Sequence, residues 1–438
     1  MAKNAVAVLA FFFTAIQLLL ASLHIRGVRN KRLYIFFKGL TSGIFVLGVE
    51  ATIGVNYGTV GNDLPPPSKV AHFLLESTFI NRVRLFDANS EVLKAFAFTG
   101  IALTVTIPKE KIPSLTKLSF AQQWVKTNIV HFTPATNVVR ILVGNEVIST
   151  TDRLYMGSLI PAMQNLHTAL VGESLDFRIK VSTPHSLGIL STSTPPSSGK
   201  FRQGYDTHLL KPLLSFLRAT GSPFLINPYP FFGSSDATLD YALFRPNSRV
   251  FDEMTKKTYT NMLDGQLDVV FSALKLLSFS DVDIVIAETG WPSKGELGAA
   301  EYNGKLMQHA TSGVGTPLIP NRTFETYIFA LFNEDLKPGP TCERNFGLFQ
   351  PDMTPVYNIG ILRRTAKSTF PTYPTPTPVS PAPKPSKGKQ WCLPKSGASD
   401  EDLQMNLDYV CGLGLDCKPI QVLGACFLPD TEPMLRTP

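Results

Sequence analysis

Two glutamates stand at the ends of apolar runs far apart in the chain. Glu146 closes "VVRILVGNE" and Glu288 closes "DIVIAE". Each run is short and β-branched, and each gives way to small, amide-bearing or aromatic residues. That pattern reads as a strand delivering a carboxylate at its C-terminal end. A pair of carboxylates brought to one point has a definite use: one protonates the oxygen of a glycosidic bond while the other attacks the anomeric carbon or activates water. A single glutamate of this kind is usually a solvated loop residue. Two at matched strand ends argue for chemistry.

The elements needed to hold them follow from periodicity. Between Thr52 and Phe370, short β-branched runs alternate with amphipathic stretches. The runs "TIGVNY", "NRVRLF", "ALTVTI", "VVRILVG", "RIKVS", "PFLINPY", "DIVIAET" and "YIFALFN" give eight strands. Segments such as "SFAQQWVKTNIV" and "YTNMLDGQLDVVFSALKLL" read as helices between them. Strand-helix alternation predicts a parallel sheet, and eight units in this length predict an α/β fold, a (β/α)8 TIM barrel. A doubly wound open sheet is disfavoured, since no glycine-rich phosphate loop follows any strand. Barrel chemistry collects at the C-terminal strand ends. Those ends carry Asn56 and Tyr57, Phe86 and Asp87, Asn145 and Glu146, Asn227 and Tyr229, Glu288, then Asn333 and Glu334. Strands four and seven face each other across the axis, so Glu146 and Glu288 are expected to converge.

Composition narrows the class. Of 438 residues, 44% are hydrophobic and 17% charged, enough for a sizeable core and too apolar for general disorder. A net charge of +7, with no basic block in the globular part, argues against nucleic acid as a partner. Four of the five cysteines (Cys392, Cys411, Cys417 and Cys426) crowd the C-terminal end. No histidine accompanies them and the spacing suits zinc poorly, so disulfides in an oxidising compartment are the expectation and metal is not. No cofactor is expected.

Residues 1–51 read as a targeting segment. "AVAVLAFFFTAIQLLLASL" has the length of a marginal membrane span, and "GLTSGIFVLGV", behind the basic "RGVRNKRLYIFFK", has a secretory pattern with Thr52 as mature start. The first run is open to two readings, a membrane span or a stretch upstream of the true start. Both send the body of the chain out of the cytosol, and the first predicts membrane association. The sequon at Asn321 agrees with secretion.

From Gly54 to Asn358 the chain resembles the plant glucan endo-1,3-β-glucosidases of glycoside hydrolase family 17. The resemblance rests on seven blocks in order: "VRLFDAN", "VGNEV", "STPHSLGIL", "NPYPFF", "ETGWPSKG", "YIFALFNEDLKPGP" and "ERNFGLF". It implies endo-hydrolysis of β-1,3-glucan, a callose-like wall polysaccharide, with retention. It assigns Glu288 as nucleophile and Glu146 as acid/base, with Asn145 on the sugar 2-hydroxyl. Glu334, Lys337 and Glu343 match ancillary charges near the site. Lys337 is open to two roles, lowering a neighbouring carboxyl's pKa or forming a salt bridge that shapes its loop. Tyr57, Tyr229 and Phe232 are expected as cleft aromatics against sugar faces, and Trp291 as either a platform or a support for Glu288. Phe86 stands where the family commonly has Tyr, and the loop "ELGAAEYNG" after the nucleophile block looks shortened.

Residues 371–390 are proline-rich and read as an extended linker. Residues 391–438 resemble the N-terminal part of an X-eight carbohydrate-binding module. That resemblance implies a Cys411–Cys417 disulfide and a segment too short to bury a core of its own. The organisation expected is thus targeting segment 1–51, catalytic barrel 52–370, linker 371–390 and truncated module 391–438, acting as a monomer on glucan at the cell wall. A transglucosylase, or a glucan-binding wall protein without turnover, is the alternative.

Overall fold

The computed structural model describes residues 53–150, 152–294 and 298–363. Four strands open the fold: β1 (Ile53–Tyr57), β2 (Arg82–Leu85), β3 (Ala102–Ile107) and β4 (Val138–Val143). β5 comes in two pieces, Lys180–Ser182 and Pro184–Ser186, and is followed by β6 (Phe224–Asn227), β7 (Ile284–Thr289) and β8 (Thr326–Ile328). Every pairing among them is parallel, and β1 lies between β2 and β8. The first piece of β5 pairs with β4 and the second with β6, so the interruption at Thr183 turns the strand from one neighbour to the other and closes the barrel. Hydroxyls bridge the turn: Thr183 Oγ1 donates to Val143 O at 2.8 Å and Ser182 Oγ to Pro223 O at 2.7 Å.

Among the described residues, seven helices of six residues or more wrap the sheet: α1 (Pro67–Ser77), α2 (Ser90–Ala95), α3 (Leu118–Asn128), α4 (Arg153–Gly172), α5 (Lys211–Thr220), α6 (Met262–Leu276) and α7 (Ala299–Thr311). Their starts are written locally. Asn89, Asp152 and Asn261 cap α2, α4 and α6 by accepting from first-turn N–H groups, and Pro67 opens α1 where no helical N–H is needed. Strands buried on both faces pack their outward side chains against the helices in the main core. A smaller apolar cluster of Leu142, Leu225, Val285, Ala287 and Tyr327 is drawn from β4, β6, β7 and β8.

One expected strand is corrected. "YIFALFN" does not continue to Asn333, since β8 ends at Ile328. Beyond it the backbone turns to other partners: Leu331 N–H donates to Asn56 O at 2.8 Å, and Phe349 N–H to Leu331 O at 3.0 Å. The apolar run is real, but its second half packs over the strand ends instead of extending the sheet. Two antiparallel hairpins, Leu190–Thr192 with Lys200–Phe201 and Val250–Asp252 with Lys257–Tyr259, are additions that the periodicity did not announce.

No helix among the described residues is long and apolar enough to cross a membrane. The targeting segment, the linker and the expected Cys411–Cys417 bridge lie outside the described residues.

Candidate active site

The strand ends open into a cleft of about 760 Å³ that contains both glutamates. Glu146 arrives three residues after β4. Gly144 has φ +68°, and a Cβ there would meet Val147 Cγ2 at 2.4 Å, so only glycine fits this step. Glu146 itself sits in the left-handed region at φ 54°, tied by its N–H to Pro184 O at 3.0 Å on β5. A non-glycine residue held there costs on the order of 1 kcal/mol, a kind of strain that concentrates at functional sites. Glu288 needs no such turn, because it lies within β7 and extends straight from the sheet.

The side chain that joins the two halves is Arg84, from the middle of β2 and wholly buried. Its Nη1 donates to Glu288 Oε1 at 2.7 Å and to Ala287 O at 3.0 Å, and its Nη2 donates to Asn145 Oδ1 at 2.8 Å. Tyr229 donates its hydroxyl to Glu288 Oε2 at 3.0 Å. Both oxygens of Glu288 therefore accept hydrogen bonds, the arrangement a carboxylate satisfies. Glu146 differs. Burial pushes its carboxyl up from the usual range, and the nearby Glu288 charge adds to this. The amide of Asn227 and the charge of Arg84 oppose them without winning. Burial and the Glu288 charge also hold the Tyr229 phenol well above its ordinary value, so it remains a donor.

A second charged group flanks the first. A Cβ on Gly58 would fall 2.1 Å from Glu334 Oε1, so the absent side chain is what lets that carboxylate approach β1. Val60 N–H donates to the same oxygen at 3.0 Å. Lys337 lies 4.0 Å from Glu334 and 3.6 Å from Glu343, with its ammonium 4.4 Å from the centre of the Phe329 ring. The two expectations for Lys337 both have a basis here. It bridges two acids of its loop, and it pulls the Glu334 carboxyl down, although burial still leaves Glu334 above its usual range.

Of the residues singled out from sequence, Glu146, Glu288, Asn145, Tyr229, Phe232, Glu334, Lys337 and Glu343 line this one cleft. Phe232 is 61% exposed there, an apolar face open to a ligand. Two aromatics do not line it. Tyr57 is 2% exposed and packs edge-on to Phe332, so it supports the rim and offers no free face to a sugar. Trp291 is 1% exposed, against Phe231 and Tyr302 at centroid distances of 5.2 and 5.5 Å. Of its two expected roles, a platform for sugar does not fit this burial. Asn321 is exposed at a turn outside the cleft. Among the described residues no group of three or more His, Cys, Asp and Glu is placed to hold a metal.

Sequence reasoning missed Arg84 and passed over Asn227. Arg84 left a signal, since β2 reads Arg-Val-Arg-Leu and sets Arg82 and Arg84 on one face of a barrel strand. Phe86, noted only as a departure, lines the cleft under the Arg84 guanidinium at 4.9 Å, beside Phe329 and Phe346.

Comparison with known proteins agrees with this geometry. The family model for glycosyl hydrolases family 17 matches residues 53–361, and that for the X8 domain matches residues 390–434. A "Glucan endo-1,3-beta-glucosidase" of Triticum aestivum is 49% identical over 393 residues, covering 86% of this chain and 85% of its own. "Glucan endo-1,3-beta-glucosidase 7" of Arabidopsis thaliana is 47% identical over 394 residues, covering 87% of this chain and 76% of its own. Among solved structures, CJP38, a beta-1,3-glucanase and allergen of Cryptomeria japonica pollen, superposes with a TM-score of 0.67 at 42% identity, over 70% of this chain and 98% of that one.

Proposed function

Because the chain belongs to glycosyl hydrolases family 17, we propose that it is an endo-1,3-β-glucanase that cleaves β-1,3-glucan with retention at the anomeric carbon. One observation carries the assignment of roles. Two carboxyl groups share an open cleft, one raised in pKa and the other held by an arginine and a tyrosine. Environments that separate two acids in this way divide the work between them.

In the first step, Glu146 gives its proton to the glycosidic oxygen as the C1–O bond breaks. One oxygen of Glu288 bonds to C1, while Arg84 and Tyr229 hold the carboxylate in line. In the second step, water attacks C1, Glu146 accepts its proton, and the bond to Glu288 breaks. Asn145, fixed by Arg84, is oriented toward the hydroxyl next to C1. Phe232 and Tyr229 cover apolar sugar faces. Glu334, Lys337 and Glu343 supply hydrogen-bonding groups along the cleft. Delivery to the cell wall belongs to the same reading, supported by the leader-like first fifty residues, the cysteine-rich tail and the exposed sequon at Asn321.

The test is release of reducing ends from a laminarin-type glucan. Glu288→Ala is expected to abolish turnover on every glycoside. Glu146→Ala is expected to lose about 10²- to 10⁴-fold on glucan, yet to keep the first step for aryl glycosides with good leaving groups, which need little protonation. A retaining pair stands about 5–5.5 Å apart. A mechanism-based fluorosugar should therefore label Glu288, and label on any other residue would refute the assignment.

A further inference from the structure

Asn227 ends β6 and is 3% exposed. Its Nδ2 donates to Glu146 Oε1 at 2.7 Å, while its Oδ1 is buried and has no partner among the described residues. A buried amide oxygen left unpaired is costly, so this orientation is held against a penalty. The N–H toward Glu146 is what the orientation secures. Among the described residues, Glu146 Oε2 accepts no comparable bond, and the side chain lines the cleft.

We propose that Asn227 is a positioning residue for the acid/base: by occupying Oε1 of Glu146, its amide places the acidic proton on Oε2, the oxygen left for the cleft. The proposal rests on the reading of Glu146 given above. A carboxylic acid accepts better at its carbonyl oxygen than at its hydroxyl, so an N–H aimed at Oε1 favours the proton on Oε2. In the first step that proton leaves Oε2 for the glycosidic oxygen, while C1 gains a bond to Glu288 and loses the leaving group. In the second step the proton of the attacking water returns to Oε2 as the C1–Glu288 bond breaks. The Asn227–Oε1 bond persists through both steps, so the carboxyl need not rotate between acid and base roles.

Burial is the largest influence on Glu146, and charged or titratable groups stand on the elements packed around it. Glu288 on β7 raises its carboxyl, and Arg84 on β2 lowers it. Tyr229, just past β6, stays protonated. His185 on β5 is pushed down to about 3 by burial and stays neutral. Asn227 lowers the Glu146 carboxyl by favouring its charged form, so losing the amide should raise it.

The test measures kcat/KM against pH for Asn227→Ala and Asn227→Asp, on laminarin and on a dinitrophenyl β-glucoside of matching chain length. This parameter covers only the steps through the first bond cleavage, and its basic limb reports the acid of the free enzyme. Both variants are expected to move the basic limb to higher pH, with Asp moving it at least as far because it adds a like charge. On laminarin about tenfold or more should be lost, and on the activated substrate less than threefold. The Asp variant is nearly isosteric and carries the test if Ala fails to fold. A basic limb unmoved in both variants, or equal losses on both substrates, overturns the proposal. Glu146→Ala is the control. If it keeps the wild-type limb, the acid/base reading fails, whatever Asn227 does.

Discussion

Arg84 concentrates three hydrogen bonds on one guanidinium, to Glu288, Ala287 and Asn145. Its planar fork holds the Glu288 carboxyl and the Asn145 amide in one fixed relation, which a point charge cannot reproduce. Arg84→Lys retains a cation but reaches only one partner at a time. We expect it to fold and to lose on the order of 10²-fold in kcat, the size of a roughly 1 Å misplacement. A circular-dichroism melt alongside glucan assays would check this, and a kcat within threefold of wild type would remove Arg84 from the positioning role. The two glutamates were legible in sequence because each closes an apolar run, a pattern that strand ends impose. Arg84 was marked but not placed, because "RVRL" sets two arginines on one face of β2 and nothing in it says whether that face points to the axis. The burial of Tyr57 and Trp291 was equally hidden. Aromatics beside a cleft wall look the same in sequence whether they face sugar or face the core.

At the scale of elements, β4 is joined to the residue just before β8 by a largely buried ion pair at the foot of the barrel. Arg140 donates to Glu325 at 2.9 and 3.3 Å, Tyr327 donates its hydroxyl at 2.7 Å, and Arg82 stands 3.7 Å away. Burial alone would raise the Glu325 carboxyl, but Arg140, Arg82 and the hydrogen bonds outweigh it and hold it at about 2. A depressed carboxyl contributes stability that is present above its unfolded pKa and is lost as pH falls toward the folded one. The contribution is about 3 kcal/mol, lost between roughly pH 5 and pH 2. Glu325→Gln should remove that part of the acid sensitivity. It should also cost about 3–5 kcal/mol at neutral pH by leaving Arg140 unpaired. Urea midpoints measured from pH 7 to pH 2.5 test both, and an acid slope equal to wild type would refute the assignment. The eight-strand count was legible from β-branched runs, whereas the early end of β8 was not. Apolarity marks burial, and residues 329–332 are buried against 346–349 without belonging to the barrel sheet.

At the scale of the molecule, the barrel fastens its own end before the proline-rich stretch begins. Phe79 N–H donates to Ile361 O at 2.9 Å, Arg363 N–H donates to Ser77 O at 2.8 Å, and Thr78 pairs with Leu362 in an antiparallel bridge. Ile361 is buried in the main core. These contacts bring residues 361–363 back to the C-terminal end of α1. Residues 371–390 carry alternating prolines without apolar periodicity, a composition that separates units. A chain ending after Phe370 is therefore expected to melt within about 2 °C of the full protein and to keep most of its hydrolysis of soluble β-1,3-glucan. A chain ending after Gly360 loses the strap and should be destabilised by about 2 kcal/mol or more through exposure of the Ile361 site alone. The two truncations together separate a dispensable tail from an integral one. If the chain ending at Phe370 fails to fold or loses most of its turnover, the region matched by the X8 model is part of the working enzyme and the barrel is not self-sufficient.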